Sequence, residues 1–392
     1  MRILLIGAGG VGTAATGIAA RRDFFDRLVV ADYDEARAAA AVATVQDDRF
    51  VAARVDASSA DAVTALCRAH GITHVLNAVD PRYVMPIFDG TLGAGADYLD
   101  MAMSLSGPGV MLGDQQFAAA DRWTEAGRLA LVGIGVEPGL SDVFARYAAD
   151  HLFTQIDEIG IRDGGNLVVE GYDFAPSFSI WTTIEECLNP PVIYERDRGW
   201  YTTEPLSEPE TFDFPGGIGP VECVHVEHEE VLLIPRWVAA GKVTFKYGLG
   251  KEFIDVLKTL RKLGLDRTQP VRVGGVAVSP RDVVAAVLPD PAGLGDRMTG
   301  TTCAGTVVTG LGTDGNPRSV YLYHLVDNEW SMREYGAQAV VWQTAVNPII
   351  ALDLLAAGTW SGAGVLGPEA FDAVPFLDKL MEYGTPWSLR EQ

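Results

Sequence analysis

The sequence predicts an α/β protein, with a doubly wound parallel sheet at its N-terminus and a second, mixed α/β domain after it. Three observations predict this. Short apolar runs alternate with helical patterns over residues 1–135; a run of glycines joins the first apolar run to the first helical pattern; and from about residue 155 aromatic and β-branched runs are broken by Gly and Pro. Alternating strand and helix is the βαβ rhythm of a parallel sheet, whereas closely spaced runs separated by turns pair antiparallel. At 392 residues the chain exceeds one ordinary core, which again points to two domains.

In the first domain the apolar runs fall at residues 3–6, 28–31, 51–55, 75–78, 98–99 and 129–132. Ser59 is a candidate N-cap before Val63, Leu66 and Ala69, which recur at helical spacing. In the second domain the runs 221–226, 231–234, 243–247 and 320–325 read as strands of a largely antiparallel sheet. Gly274-Gly275, between the apolar triplets 271–273 and 276–278, predicts a tight hairpin, because glycine takes positive φ freely. Ser279-Pro280 then reads as an N-cap and first helical residue. Residues 312–316 form a turn between expected strands 303–311 and 318–326. After Arg333 the pattern is helical, with an apolar stretch over 337–356 expected to break at Asn347-Pro348.

Charge and cysteine content narrow the function classes. Thirty basic against 52 acidic residues give a formal charge of −22, which repels a nucleic-acid backbone and an anionic membrane. No apolar run reaches the roughly 18 residues of a membrane span, and the first run is too short for the core of a signal peptide. Cys67, Cys187, Cys223 and Cys303 are far apart and form no C-x-x-C pair, so neither a disulfide framework nor a zinc knuckle is expected. A cytoplasmic protein without nucleic-acid or membrane partners is the expectation.

The glycine run Gly7-Ala8-Gly9-Gly10-Val11-Gly12 satisfies G-x-G-x-x-G directly after a strand and directly before a helix. Glycines there permit a tight turn and a close approach of backbone to a pyrophosphate, which the helix N-terminus attracts through its free N–H groups. Asp32 ends the second strand, where a carboxylate accepts the adenosine ribose hydroxyls and repels a 2′-phosphate. The expected domain is therefore of Rossmann type. The expected cofactor is NAD, with NADP left open by Arg37 nearby. By topology alone, Asp56-Ala57 and Asn77-Ala78, at the ends of the third and fourth strands, line the adenine and nicotinamide halves.

The run from Ile3 to Gly12, together with Val75-Leu76-Asn77-Ala78, Tyr98-Leu99-Asp100, Gly135-Val136-Glu137-Pro138-Gly139, Phe178-Ser179-Ile180-Trp181, Asn189-Pro190-Pro191 and Gly364-Val365-Leu366-Gly367-Pro368-Glu369, resembles the saccharopine dehydrogenase-like oxidoreductases. That group includes saccharopine reductase, carboxynorspermidine dehydrogenase and lysine 6-dehydrogenase. The resemblance implies a Rossmann domain over 1–135, a substrate and dimerisation domain over 136–333, and helices over 334–392 that return to the first domain. It also implies a homodimer and hydride exchange at an amine-bearing carbon of an amino acid or polyamine-type substrate. Some members reduce an imine made from an amine and an aldehyde, and others oxidise a terminal amine. NADP-using members tend to carry a basic residue after the second strand; Ala31-Asp32-Tyr33-Asp34 stands here instead, more like the NAD-linked lysine 6-dehydrogenase. Gly135, Pro138 and Gly139 join the cofactor-side residues on the same resemblance.

Chemistry at a C–N carbon needs a group to manage the amine proton. Asp100, at the end of the fifth strand, and Glu137, in its Pro-Gly turn, are the candidates; the plain alternative is a cap and an exposed turn acid. Phe178 and Trp181, with Tyr172 and Phe174 nearby, are candidates to wall the substrate and stack on a cation, the alternative being simple core. His225 and His228 with Cys223 suggest a metal, but in a strand 228 lies on the face opposite 223 and 225, so no metal site is expected. No G-x-S-x-G elbow or Walker lysine is present. Two other readings stand beside the oxidoreductase: an aminoalkyl transferase like homospermidine synthase with retained NAD, and a non-catalytic NAD-binding sensor.

Overall fold

A computed structural model describes residues 1–392, which divide into two compact units. The first comprises Met1–Leu152, Leu232–Val238 and Val341–Trp387. Its strands β1 (Arg2–Ile6), β2 (Arg27–Asp32), β3 (Phe50–Arg54), β4 (His74–Asn77), β5 (Asp97–Asp100) and β6 (Leu129–Leu131) lie in the spatial order 6-5-4-1-2-3 and pair in parallel throughout. That order reverses direction between β1 and β4, and the crevice at the carboxyl ends of such a pair is where open α/β sheets take ligands. Helices on both faces explain why Ile3, Leu4, Leu5, Leu28, Val29 and Val30 form continuous apolar runs with almost no exposure. The helices α1 (Gly10–Ala19), α2 (Glu35–Ala43) and α3 (Ala60–His70) follow the first three strands, and Ser59 caps α3 by accepting the Ala62 N–H.

Two features of this unit depart from expectation. Gly364–Leu366, in the part read as helical, is a seventh strand that pairs in parallel with β6. The helix Ala339–Ala356 runs through Pro348 rather than breaking. The Asn347 amide donates to the Gln343 carbonyl, and apolar residues from Ala345 to Leu352 are almost fully buried, so packing overrides the missing proline N–H. This helix is long and apolar enough to cross a membrane, and 78% of it is buried inside the fold, the condition of a core helix.

The second unit comprises Phe153–Val231, Ala239–Val340 and Ser388–Gln392. Its nine-stranded sheet centres on β7 (Phe153–Gly165), flanked by Thr301–Gly312 antiparallel and Ala240–Gly248 parallel, so the sheet is mixed. Thr301–Gly312 pairs in turn with Pro317–Asp327 across the expected turn. Gly274 and Gly275 have φ of +54° and +89° in the expected hairpin, and Ser279 accepts the Asp282 N–H as the cap of Pro280–Val287. One run was misread: residues 231–234 lie in the helix Glu230–Trp237. Val231, Leu232, Leu233 and Ile234 are all buried, and a helix buried on every side has the same unbroken apolar run as a buried strand.

Candidate active site

The glycine loop sorts its glycines by job. Gly7 has φ +107°, and a Cβ there would lie 2.5 Å from the Ala78 carbonyl oxygen. A Cβ on Gly12 would lie 1.8 Å from the Gly7 oxygen. These two positions make the turn and admit no side chain. Gly9 differs, since a Cβ there would meet only the Arg37 guanidinium, at 3.6 Å. It leaves a bare, open backbone in front of α1, whose first turn at Gly10, Val11 and Gly12 has no side-chain cap. Uncapped N–H groups behind an open glycine suit a diphosphate.

Asp32 is 6% exposed and braces this loop. Its Oδ2 accepts the Ala8 N–H at 2.9 Å and its Oδ1 accepts the Asp34 N–H at 3.0 Å. Each oxygen keeps a lone pair for a ribose hydroxyl. Asp56 is exposed and turned onto its own loop, accepting the Ser58 N–H at 3.0 Å and the Ser58 hydroxyl at 2.6 Å; those bonds hold its carboxyl below the usual range, and Ala57 lies inside the turn. Asn77 is buried, accepting the Val79 N–H at 3.1 Å and donating to the Tyr98 hydroxyl at 3.0 Å, while the Ala78 N–H reaches the Ile6 carbonyl at 2.8 Å. These bonds fix the β1–β4 crevice.

Asp100, the first candidate to manage the amine proton, lies buried at the end of β5. Its side chain, 1% exposed, accepts the Gly133 N–H and the Gln116 amide, both at 2.7 Å, and thereby ties the end of β5 to the chain leaving β6. Glu137 behaves differently from an exposed turn acid, because both of its carboxyl oxygens are sealed from solvent. Its turn is closed by Gly135 N–H to the Pro138 carbonyl and by Gly139 N–H to Asp142 Oδ2, each at 2.7 Å, and the Glu137–Pro138 peptide is cis. Gly139 has φ +137°, with a would-be Cβ 2.1 Å from the Gly135 oxygen, so the turn requires glycine at 139.

Within the second unit, Phe178 is half-buried just before the helix Ile180–Leu188. Trp181 donates its indole N–H to Asp282 at 3.1 Å, and the Arg281 guanidinium lies 4.8 Å from its ring centroid, so one indole face already carries a cation. Tyr172 is exposed, and Phe174 packs on Phe253. Cys223 joins an apolar cluster with Phe214, Cys303 and Tyr321. His225 bonds Glu208 and the Phe245 carbonyl, both at 3.1 Å, away from any ligand set.

His228 reveals what the sequence reading missed. It lies beyond the strand Gly219–His225, in a stretch where Glu227, His228, Glu229 and Glu230 are all at most 5% exposed. Its Nδ1 is 2.6 Å from Glu230 Oε2 and 3.4 Å from Glu229 Oε2, and the ligand atoms of the three lie within 4.8 Å of one another. Burial pushes the nearby Glu186 carboxyl up to about 8, with Glu229, Glu230 and Glu227 adding to the effect and His228 opposing it. Burial depresses the His228 imidazole, but Glu230, Glu229 and Glu186 outweigh that and raise it to about 10. The His228 imidazolium is thus the buried cation that Glu229 and Glu230 face, with Glu186 holding its proton beside them. Four consecutive polar residues between apolar runs were the available signal; reading both flanks as strands hid it.

Residues 3–131 match the saccharopine dehydrogenase NADP binding domain and residues 135–385 the saccharopine dehydrogenase C-terminal domain. Among curated relatives, carboxynorspermidine synthase of Vibrio alginolyticus is 30% identical over 100% of this chain and 97% of its own length. Carboxyaminopropylagmatine dehydrogenase of Synechocystis sp. is 30% identical over 98% of this chain and 96% of its own. Among solved structures, apo saccharopine dehydrogenase (L-Glu forming) from Saccharomyces cerevisiae superposes with a TM-score of 0.72 at 14% identity, covering 100% of this chain and 99% of that one. Homospermidine synthase from Legionella pneumophila in complex with NAD gives 0.68 at 13%, covering 100% and 91%. At such identities the two structures speak to the fold.

Proposed function

The chain belongs to the saccharopine dehydrogenase family, and from that premise we propose the substrate chemistry and residue roles of this NAD(P)-dependent oxidoreductase of amino-acid or polyamine-type substrates. The reaction is reductive joining of an amine to an aldehyde through an imine, or its reverse, on a polyamine precursor. A nicotinamide dinucleotide held by the glycine cradle would supply or accept the hydride at the nitrogen-bearing carbon. The observation that carries this reading is the open backbone of Gly9 between two glycines that admit no side chain.

The chain's own residues do the rest. Gly9, Gly10, Val11 and Gly12 receive the pyrophosphate, while Gly7 makes the turn. Asp32 accepts ribose hydroxyls and repels a 2′-phosphate, so NAD is proposed ahead of NADP. Asp56, Ala57, Asn77 and Ala78 line the nucleotide, and Gly135, Pro138 and Gly139 shape the loop that carries Glu137. Glu137, sealed from water, exchanges the amine proton; Asp100 holds β5 and β6 in place. In the second unit the acidic stretch at Glu229 and Glu230 favours a substrate ammonium, with Phe178 and Trp181 as its wall. A homodimer and a cytoplasmic location complete the proposal, the first checked by light scattering.

The test mixes the protein with NADH or NADPH, a short diamine and an amino-acid semialdehyde. Loss of reduced-nicotinamide absorbance only when both organic partners are present, with a product mass equal to their sum less water plus two hydrogens, is expected. Silence with every amine and carbonyl pair, in both directions, contradicts the reading.

A further inference from the structure

Arg37 lies in the first turn of α2, with three carboxylates, Asp32, Asp34 and Glu35, within five positions of it in the chain. It forms a salt bridge with none of them. Asp34 is engaged as the helix cap, accepting the Ala36 N–H at 3.0 Å, and Asp32 is turned onto the Ala8 and Asp34 N–H groups. The Arg37 side chain, itself exposed, instead runs back past the ring of Tyr33, 5.9 Å from its centroid, and puts Nη2 3.6 Å from the point where a Cβ on Gly9 would stand. The Arg37 guanidinium thus stands beside Gly9, the residue that precedes α1 and leaves its N-terminus without a side-chain cap.

We propose that Arg37 binds the bridging pyrophosphate of the dinucleotide, closing the cradle from the side opposite the α1 amides. The inference rests on the cofactor reading above. Three features favour it. A planar guanidinium fork matches two phosphate oxygens at once, which a lysine ammonium at the same place does not. The glycine loop brings the pyrophosphate to Gly9, where Arg37 already points, whereas a ribose 2′-phosphate would stand beside Asp32. In a chain with a formal charge of −22, a cation at the cradle also offsets the repulsion that a dianionic pyrophosphate meets on approach.

The experiment measures dissociation constants of NAD+ and NADP+ by calorimetry for the wild-type chain, Arg37→Gln and Arg37→Lys. Each variant is first checked for an unchanged melting temperature without ligand. Arg37→Gln is expected to weaken both dinucleotides about tenfold or more and equally, as for loss of a charged hydrogen bond. Arg37→Lys should recover part of the loss, and the wild-type affinity should fall more steeply with salt than that of Arg37→Gln. Weakening confined to NADP+ would move Arg37 to the 2′-phosphate and overturn the assignment, as would unchanged affinity for both. Failure of the wild-type chain to bind either dinucleotide would overturn the cofactor reading itself, so the two failures are told apart.

Discussion

The imidazole of His228 lies flat against the ring of Phe245, 3.9 Å between centroids and 5° between planes. Phe245 sits on the strand Ala240–Gly248, so the sheet presses the imidazole into its ring of carboxylates. His228→Leu would leave Glu229 and Glu230 buried without their cation. A loss of about 3 kcal/mol or more is expected, as for one partner removed from a buried ion pair. Chemical denaturation measures it, and a change within experimental error would show that the imidazolium does not hold the cluster together.

The cluster also sets a pH dependence. In the fold Glu186 keeps its proton up to about pH 8, against an ordinary 4.5, so its contribution to stability is fully present below 4.5 and is lost as pH rises through about 8. His228, raised from 6.5 to about 10, contributes fully below 6.5 and loses that contribution as pH rises through about 10. Both groups make the melting temperature fall on the alkaline side. Glu186→Gln should flatten the part of that fall between 4.5 and about 8 and leave the later part. An identical profile for wild type and variant would contradict the assignment.

Asp100 separates a brace from a proton exchanger. Asp100→Ala leaves the Gly133 N–H and the Gln116 amide without their buried acceptor, at an expected cost of about 1–3 kcal/mol for each stranded group. Turnover of the protein that remains folded should fall less than that of Glu137→Gln. A stable Asp100→Ala protein with abolished turnover would reverse the two roles.

Gly12→Ala tests the packing half of the glycine loop. Its methyl group would land 1.8 Å from the Gly7 oxygen, so the loop or the start of α1 must move. The melting temperature should drop even without ligand. A variant as stable as wild type would mean that this contact relaxes freely.

Much of the first unit was legible because its signals are local. A strand-to-helix glycine run, an Asp at the end of β2 and a Ser before α3 each state their conformation within a few residues. The hairpin at Gly274-Gly275 was readable for the same reason, since positive φ at two successive positions demands residues that tolerate it. What was not legible depends on partners distant in the chain. The sequence placed Asp100 at a strand end, but only folding brings Gln116 and Gly133 to it. Glu186 and His228 come from separate segments and acquire their shifted proton affinities together. The 231–234 run was ambiguous in principle, because burial on all sides erases the periodicity that distinguishes helix from strand.

The most direct measurement is calorimetric titration of NAD+ into the wild-type chain and into Gly9→Val. A Cβ at Gly9 meets nothing of the fold nearer than the Arg37 guanidinium at 3.6 Å, so the variant is expected to melt like wild type, which a ligand-free melt checks first. The prediction is single-site uptake by the wild type and none by the folded variant. Equal uptake by both, or uptake of neither dinucleotide by the wild type, would contradict the account.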